Sequence, residues 1–391
     1  MSLLKRPPGD LFTFRLFIEL ASKVKNPKDT IYIWSAVLDP TYKFGWWPSE
    51  GIFETETELE YRTRLTDNVK SDLILLGVKD HLTAGDFNFY SDKVPAIVDY
   101  LDGFFKFYND KKFIFFTSVE NIESYIQNEN VKIIPWGGDI TNHQKEYKTL
   151  EPVIDKNLDS TTTFLSLNRN KRSHRAMLVS LLYGLNIEHN GLISCMFADT
   201  ITDGLFEYTK WQVSNQELYL QGFKKLQNKG TVINDDKEIY ENHNNNNVYN
   251  FKRCLSNYYK NTFVEIISET SYTESCFNLT EKTLNSVYGC CFPILLCSKG
   301  SVAFLRNMGL DVFDDVVNHD YDIIADPATR LETAIKDNIE LLTNNEKTKQ
   351  LWIQNKNRFQ QNVDFCKERL YNFYYERAKN KFVEICKNDD I

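Results

Sequence analysis

This sequence predicts two α/β domains followed by a C-terminal helical tail, and three observations carry that expectation. Apolar, β-branched runs alternate with amphipathic or polar stretches over residues 30–136, the mark of a doubly wound α/β domain. The alternation lapses over 137–160, a polar stretch that reads as a linker, and resumes at 161. Residues 262–309 then read strand, loop, helix, strand, helix, which is a crossover unit of a parallel sheet. The expected division is 1–150 for a first α/β domain, 155–345 for a second, and 346–391 for helices packing back on the first. A chain of 391 residues is long enough for both domains.

In order along the chain, Leu11, Phe14, Phe17, Ile18 and Ala21 form a helical face that Asn26-Pro27 ends. Strands are expected at 30–37, 71–78, 112–118 and 131–136, with helices at 54–68, 95–108 and 121–129 between them. Pro95 suits the first turn of its helix. In the second half, strands are expected at 161–167 and 192–197 and helices at 173–183, 215–229 and 251–259. The four asparagines within 235–250 mark a surface excursion. Residues 262–268 are a strand by propensity. Asn278 and Glu281 have capping-box spacing, Leu284, Val287 and Tyr288 lie on one helical face, and Gly289 suits a C-cap. The apolar run 290–297 is a strand covered on both faces, with Pro293 tolerable only at an edge or bulge. Residues 326–342 read as a helix and 346–387 as one or two long ones.

Composition narrows the function. Apolar content of 42% and charged content of 26% describe a globular protein with ample core. A net charge of −8 argues against bulk affinity for nucleic acid. No apolar run is long enough to span a membrane, and the first residues lack the apolar stretch of a secretory signal. The eight cysteines show no C-x-x-C spacing, so neither zinc nor a disulfide framework is expected, and a reducing cytoplasm is the simplest location.

Chemistry concentrates at two strand–helix junctions. One holds Ser268, Glu269, Thr270, Ser271, Thr280, Glu281 and Lys282. The other, residues 168–175, gathers Arg169, Lys171, Arg172 and Arg175 beside His174. A helix N-terminus already carries partial positive charge, so cations placed there are unfavourable unless an anion joins them. A diphosphate would satisfy both the cations and the free amides; the plainer alternative is a solvated basic loop. Neither a Walker motif nor G-x-G-x-x-G is present. Tyr272 and Trp211 could stack on a base or simply pack. Carboxylates able to accept a proton lie in two loops, Asp39 and Glu50 beside Trp46 and Trp47, and Asp86 near His81.

The acidic loop after a strand, Thr280-Glu281-Lys282 opening a helix, and Gly289 before a strand with Pro293 resemble the donor-site segment of GT-B glycosyltransferases. The likeness is to the α1,3-fucosyltransferase family and to similar transferases of large DNA viruses and marine phages, and it covers about fifty residues. Tyr321 and Asp322 look like a further segment shared with those viral and phage proteins. The resemblance implies two Rossmann-like domains and a nucleotide-sugar donor (GDP- or UDP-sugar) as the sole cofactor. Glu281 would face sugar or ribose hydroxyls, Lys282 the diphosphate, and Glu269 would be the family's acidic donor residue, although Thr270-Ser271 replaces the usual Asn-Ser after it. Arg169 or Arg172 would be the basic diphosphate contact. The expected activity is sugar transfer to a glycan or glycoprotein acceptor, inverting and without a metal, with 1–150 as the acceptor-side domain and 155–345 as the nucleotide-sugar-binding domain, in the cytoplasm of a host cell if the source is viral. The alternatives are a non-catalytic carbohydrate-binding or virion-surface protein, and another group transferase on a Rossmann-like fold.

Overall fold

A computed structural model describes residues 2–3, 30–35, 73–78, 112–117, 128–137, 147–168, 172–195, 212–229, 255–269 and 279–388, with single positions between. For the first three of these stretches it describes the backbone. The expected helices at 11–25, 54–68 and 95–108 and the excursion at 235–250 lie outside the described residues.

The fold is mixed α/β with two all-parallel sheets, an arrangement compatible with Rossmann-like folds. Two compact units divide the chain. The first comprises Met1–Gly85, Lys93–Asn142 and Asn372–Ile391, and the second Asp86–Asp92 and His143–Tyr371.

The first unit holds five strands: β1 (Ser2–Leu3), β2 (Thr30–Ser35), β3 (Leu73–Val78), β4 (Lys112–Thr117) and β5 (Val131–Pro135). Four match the apolar runs read from sequence; the two-residue β1 was not anticipated. They pair in chain order, β1-β2-β3-β4-β5, with no reversal, so this sheet lacks the switch in strand direction expected of a doubly wound domain. Phe113 to Phe116 of β4 are wholly buried, and the Phe116 ring lies 6.2 Å from that of Phe382 in the C-terminal helix.

The second unit holds β6 (Phe164–Asn168), β7 (Gly191–Cys195), β8 (Val264–Ser268) and β9 (Phe292–Leu296), in the order β7-β6-β8-β9. From β6 the chain steps outward to β7, then returns to the other side for β8 and β9. The direction therefore reverses between β6 and β8. All five residues of β6 pair with β7 and all five of β8 with β9, but β6 and β8 pair only at Phe164↔Val264 and Leu165↔Glu265. Beyond Leu165 the two ladders no longer pair, so the carboxyl ends of β6 and β8 are not bonded to each other. Pro293 sits on β9, the edge strand, where its missing N–H is harmless.

Ten α-helices are described: α1 (Ser173–Gly184), α2 (Gln216–Lys229), α3 (Ser256–Lys260), α4 (Glu281–Gly289), α5 (Ser301–Met308), α6 (Pro327–Lys336), α7 (Ile339–Thr343), α8 (Asn345–Gln354), α9 (Lys356–Glu368) and α10 (Leu370–Asn388). The region read as one helix over 326–342 is two, because Asn338 turns aside to bond the Asn318 backbone. The one or two helices read over 346–387 are three, broken at Asn355 and Arg369. The bends wrap Trp352, Phe359 and Val363 onto the core instead of extending them past it.

The stretch expected to be a linker is docked along its later part. Val153 N–H donates to Tyr288 O and Asn157 N–H to Lys260 O, both at 2.8 Å. Lys156 is buried, and its ammonium donates to Tyr259 O and Gly289 O at the carboxyl ends of α3 and α4, where a cation complements both helix dipoles. A polar composition here reflects helix capping and not freedom from the core.

Candidate functional site

In an open parallel sheet, ligands bind outside the carboxyl ends of the strands where the strand order reverses. In the second unit that place lies between Asn168 and Ser268, at the carboxyl ends of β6 and β8. Both are buried, and the Asn168 Oδ1 and Ser268 Oγ atoms have no hydrogen-bond partner among the described residues. The Asn168 amide is held from below, its Nδ2 donating to Ser166 Oγ at 2.9 Å and to Ser166 O at 3.3 Å. Two orphaned polar atoms flanking a gap between strands are a place for a ligand or water, since buried polar groups are otherwise almost always paired.

The N-termini of α1 and α4 follow the carboxyl ends of β6 and β8 in the chain. Arg172 is the N-cap residue of α1, half-buried and extended. His174 and Arg175, in the first turn, reach across to the end of β8. The His174 Nε2 lies 2.9 Å from Glu269 O, and an Arg175 guanidinium nitrogen donates to Ser268 O at 3.0 Å. The Tyr272 ring has the His174 ring at 5.1 Å and the Arg330 guanidinium at 4.5 Å, and it is 1% exposed. That ring is therefore a packing element and is not presented to a nucleobase. Arg330 is buried on α6 and donates to the backbone oxygens of Tyr272, Ile324 and Ala325, while its Nε has no partner among the described residues. Among the described residues no carboxylate forms an ion pair with it.

The local field is positive. Burial holds the His174 imidazole well below its ordinary pKa, and Arg175, Arg172 and Arg330 push it the same way. Periodicity and charge gave no hint of Arg330, which comes from a helix starting more than 140 residues after α1 ends.

At the start of α4 the N-cap is Thr280, not Asn278, which lies outside the described residues. Its hydroxyl accepts from Lys282 N–H at 3.4 Å. Glu269 differs from its expected role as a donor contact. It is wholly buried, accepting from Thr280 N–H at 3.1 Å, Thr280 Oγ1 at 2.7 Å and Thr283 Oγ1 at 2.8 Å. Lys282 Nζ lies 3.7 Å from the same carboxylate and 3.3 Å from Glu281. The cation at this helix N-terminus thus already has an internal anion, and the conflict inferred from sequence is resolved within the protein. Thr280 is buried with its hydroxyl committed. Glu281 and Lys282 remain solvent-accessible at 28% and 26%.

At the neighbouring strand, Asp322 caps α5 by accepting from Val302 N–H at 3.1 Å and Ala303 N–H at 2.9 Å, and Tyr321 takes the Leu295 N–H on the free edge of β9. The Tyr321-Asp322 segment therefore closes the sheet edge. Arg169, Lys171, Trp211, Asp39, Glu50 and Asp86 lie outside the described residues. Among the described residues no helix is long and apolar enough to cross a membrane, and no cluster of His, Cys, Asp or Glu is arranged to hold a metal ion.

No family model, no curated protein and no solved structure matches this chain.

Proposed function

We propose that the chain is a glycosyltransferase of the GT-B kind, moving a sugar from a nucleotide-diphosphate donor to a glycan or other hydroxyl acceptor. The observation that supports this reading is the strand-order reversal, rimmed by the α1 N-terminus and three guanidinium groups, with the accessible Glu281 and Lys282 of α4 on the neighbouring junction. Such a rim suits a pyrophosphate, whose charge the fixed cations and free helix amides would neutralise. Arg172 and Lys282 bind the diphosphate, together with Arg169 and Lys171 of the same loop, and Glu281 accepts from sugar or ribose hydroxyls. As the glycosidic bond breaks, the same cations stabilise the departing diphosphate, so no metal is needed for that step. One of Asp39, Glu50 and Asp86 takes the proton of the acceptor hydroxyl.

A melting-shift panel of UDP-, GDP- and CMP-sugars, S-adenosylmethionine and a sulfate donor tests the assignment. A bound nucleoside diphosphate should raise the melting temperature by mass action. Arg172→Ala with Lys282→Ala should weaken that affinity at least about tenfold, roughly 1.4 kcal/mol, at unchanged stability. A shift with S-adenosylmethionine or the sulfate donor alone would make the chain a different transferase. Equal calorimetric affinity for the diphosphate in wild type and double variant would remove both residues from the site.

A further inference from the structure

We propose that Lys156 and Cys291 form an oxidative modification site, at which peroxide joins the amine and the thiol through a single bridging oxygen. The site lies at the opposite, amino-terminal edge of the second sheet and does not depend on the transferase reading. Six cysteines are described, all with free thiols. Of these, Cys291 has a lysine amine at hydrogen-bond distance, Nζ to Sγ 3.3 Å. Two features hold the amine in place. Its bond to Tyr259 O is 2.6 Å long, with a second to Gly289 O, and the Trp352 ring centroid lies 5.9 Å away. The sulfur is held as well, 3.6 Å from both Thr262 O and Gly289 O. The two nucleophiles thus sit side by side with little rotamer freedom, the arrangement that converts a bimolecular reaction into an intramolecular one.

Burial raises the Cys291 thiol pKa while the adjacent ammonium opposes that rise, so the thiolate fraction is small but directed at the amine. Cys291 is 3% exposed and Lys156 9%, so the pair lies just below the surface, and Leu158, two residues on, is 46% exposed.

The chemistry balances with hydrogen peroxide as the oxidant. The ammonium first releases its extra proton to water. One N–H and the S–H bond then break, one N–O and one O–S bond form, and two peroxides accept four electrons and leave as three waters. The bridge keeps one hydrogen on the nitrogen, so Lys156 can no longer cap both α3 and α4. Thiol reduction cleaves the O–S bond and, with a further two electrons, restores the amine.

Peptide mapping of the full chain after peroxide treatment and thiol blocking tests this. The expected product is a Lys156–Cys291 cross-linked peptide about 14 Da heavier than the sum of its parts, lost on treatment with dithiothreitol. It should be absent from Cys291→Ser and Lys156→Arg. The half-exposed Cys386 serves as the internal control that oxidant reached the protein. Cys291 recovered as sulfinic or sulfonic acid with Lys156 unmodified, or both residues unmodified while Cys386 is oxidised, would overturn the proposal. Mapping of the wild-type chain decides between these outcomes even if a variant fails to fold.

Discussion

Glu269 and Lys282 are neighbours in space with opposite tasks. Glu269 is wholly buried and accepts three hydrogen bonds from the start of α4, eleven to fourteen residues later in the chain. Removing its carboxylate strands two threonine hydroxyls and a backbone amide without partners, so Glu269→Ala should destabilise the second unit by about 3 kcal/mol. Lys282 is a quarter exposed; its pair with Glu281 is of the surface kind that contributes little to stability, and its 3.7 Å approach to the buried Glu269 carboxylate is beyond hydrogen-bond reach. Lys282→Ala should leave the denaturant midpoint nearly unchanged while lowering nucleotide affinity. Urea titrations of the two variants check this contrast, and equal midpoints would mean that Glu269 is not the anchor described here. An acid after a strand reads the same in sequence whether it meets a ligand or a helix start. What separates the two cases is the return of Thr280 and Thr283, a distance that only the folded crossover fixes.

At the scale of elements, the closest packing in the second unit is between α1 and α2. A Cβ on Gly222 would lie 1.9 Å from Ser180 O, and one on Gly184 would lie 2.4 Å from Leu218 O. Both nearest atoms are backbone, which cannot swing aside. Gly222→Ala must therefore push α2 off α1, at a cost of about 3 kcal/mol, the upper end of what overpacking a core costs. Because α1 also carries His174, Arg175 and the Arg172 cap, the same substitution should weaken diphosphate binding from a distance; the thermal midpoint and the nucleotide titration together read both effects. The strands were legible from sequence because β-branched apolar runs such as Ile31-Tyr32-Ile33 and Val264-Glu265-Ile266-Ile267 announce themselves locally. Helix breaks at Asn338 and Asn355 were not, since an asparagine inside a polar helix face shows nothing until its side chain finds a backbone partner. The reversal between β6 and β8 was equally hidden. Strand order depends on which runs meet across more than ninety residues, and periodicity is silent on that. The cationic loop at 168–175 was visible for its charge, whereas Arg330 joined the site only through the packing of α6.

For the molecule as a whole, each unit buries a carboxyl group whose proton is hard to remove. In the first unit burial lifts the pKa of Glu120 to about 7, against the pull of the Arg377 guanidinium that pairs with it at 2.7 Å. In the second, burial raises Glu265 to about 8, opposed by the hydrogen bond from Tyr259 and by the Lys156 charge. Both groups ionise near 4.5 when exposed. Between that value and the raised one the native state keeps a proton that the unfolded chain has released. The native state therefore binds more protons across the window, and stability falls as pH rises through it. The exposed Asp314 and Asp315 act in the other direction. Hydrogen bonds from Arg306 and Arg358 lower their pKa values, so their contribution is lost as pH falls below the usual carboxylate range, and it is small because solvent screens them. His174 and His319, held below the usual imidazole value of 6.5 by burial, oppose this trend below that pH, but the two carboxyls act over a wider range, so the urea midpoint of the whole chain should be higher at pH 5.5 than at pH 8.5. Glu265→Gln removes the titrating proton while keeping a partner for the Tyr259 hydroxyl at 2.9 Å. That variant should flatten the slope of the second unit and leave that of the first, and hydrogen exchange read separately on β4 and β8 distinguishes the two. An unchanged slope at β8 in the variant would mean that Glu265 is already ionised in the folded protein, with the Lys156 ammonium as its counter-charge.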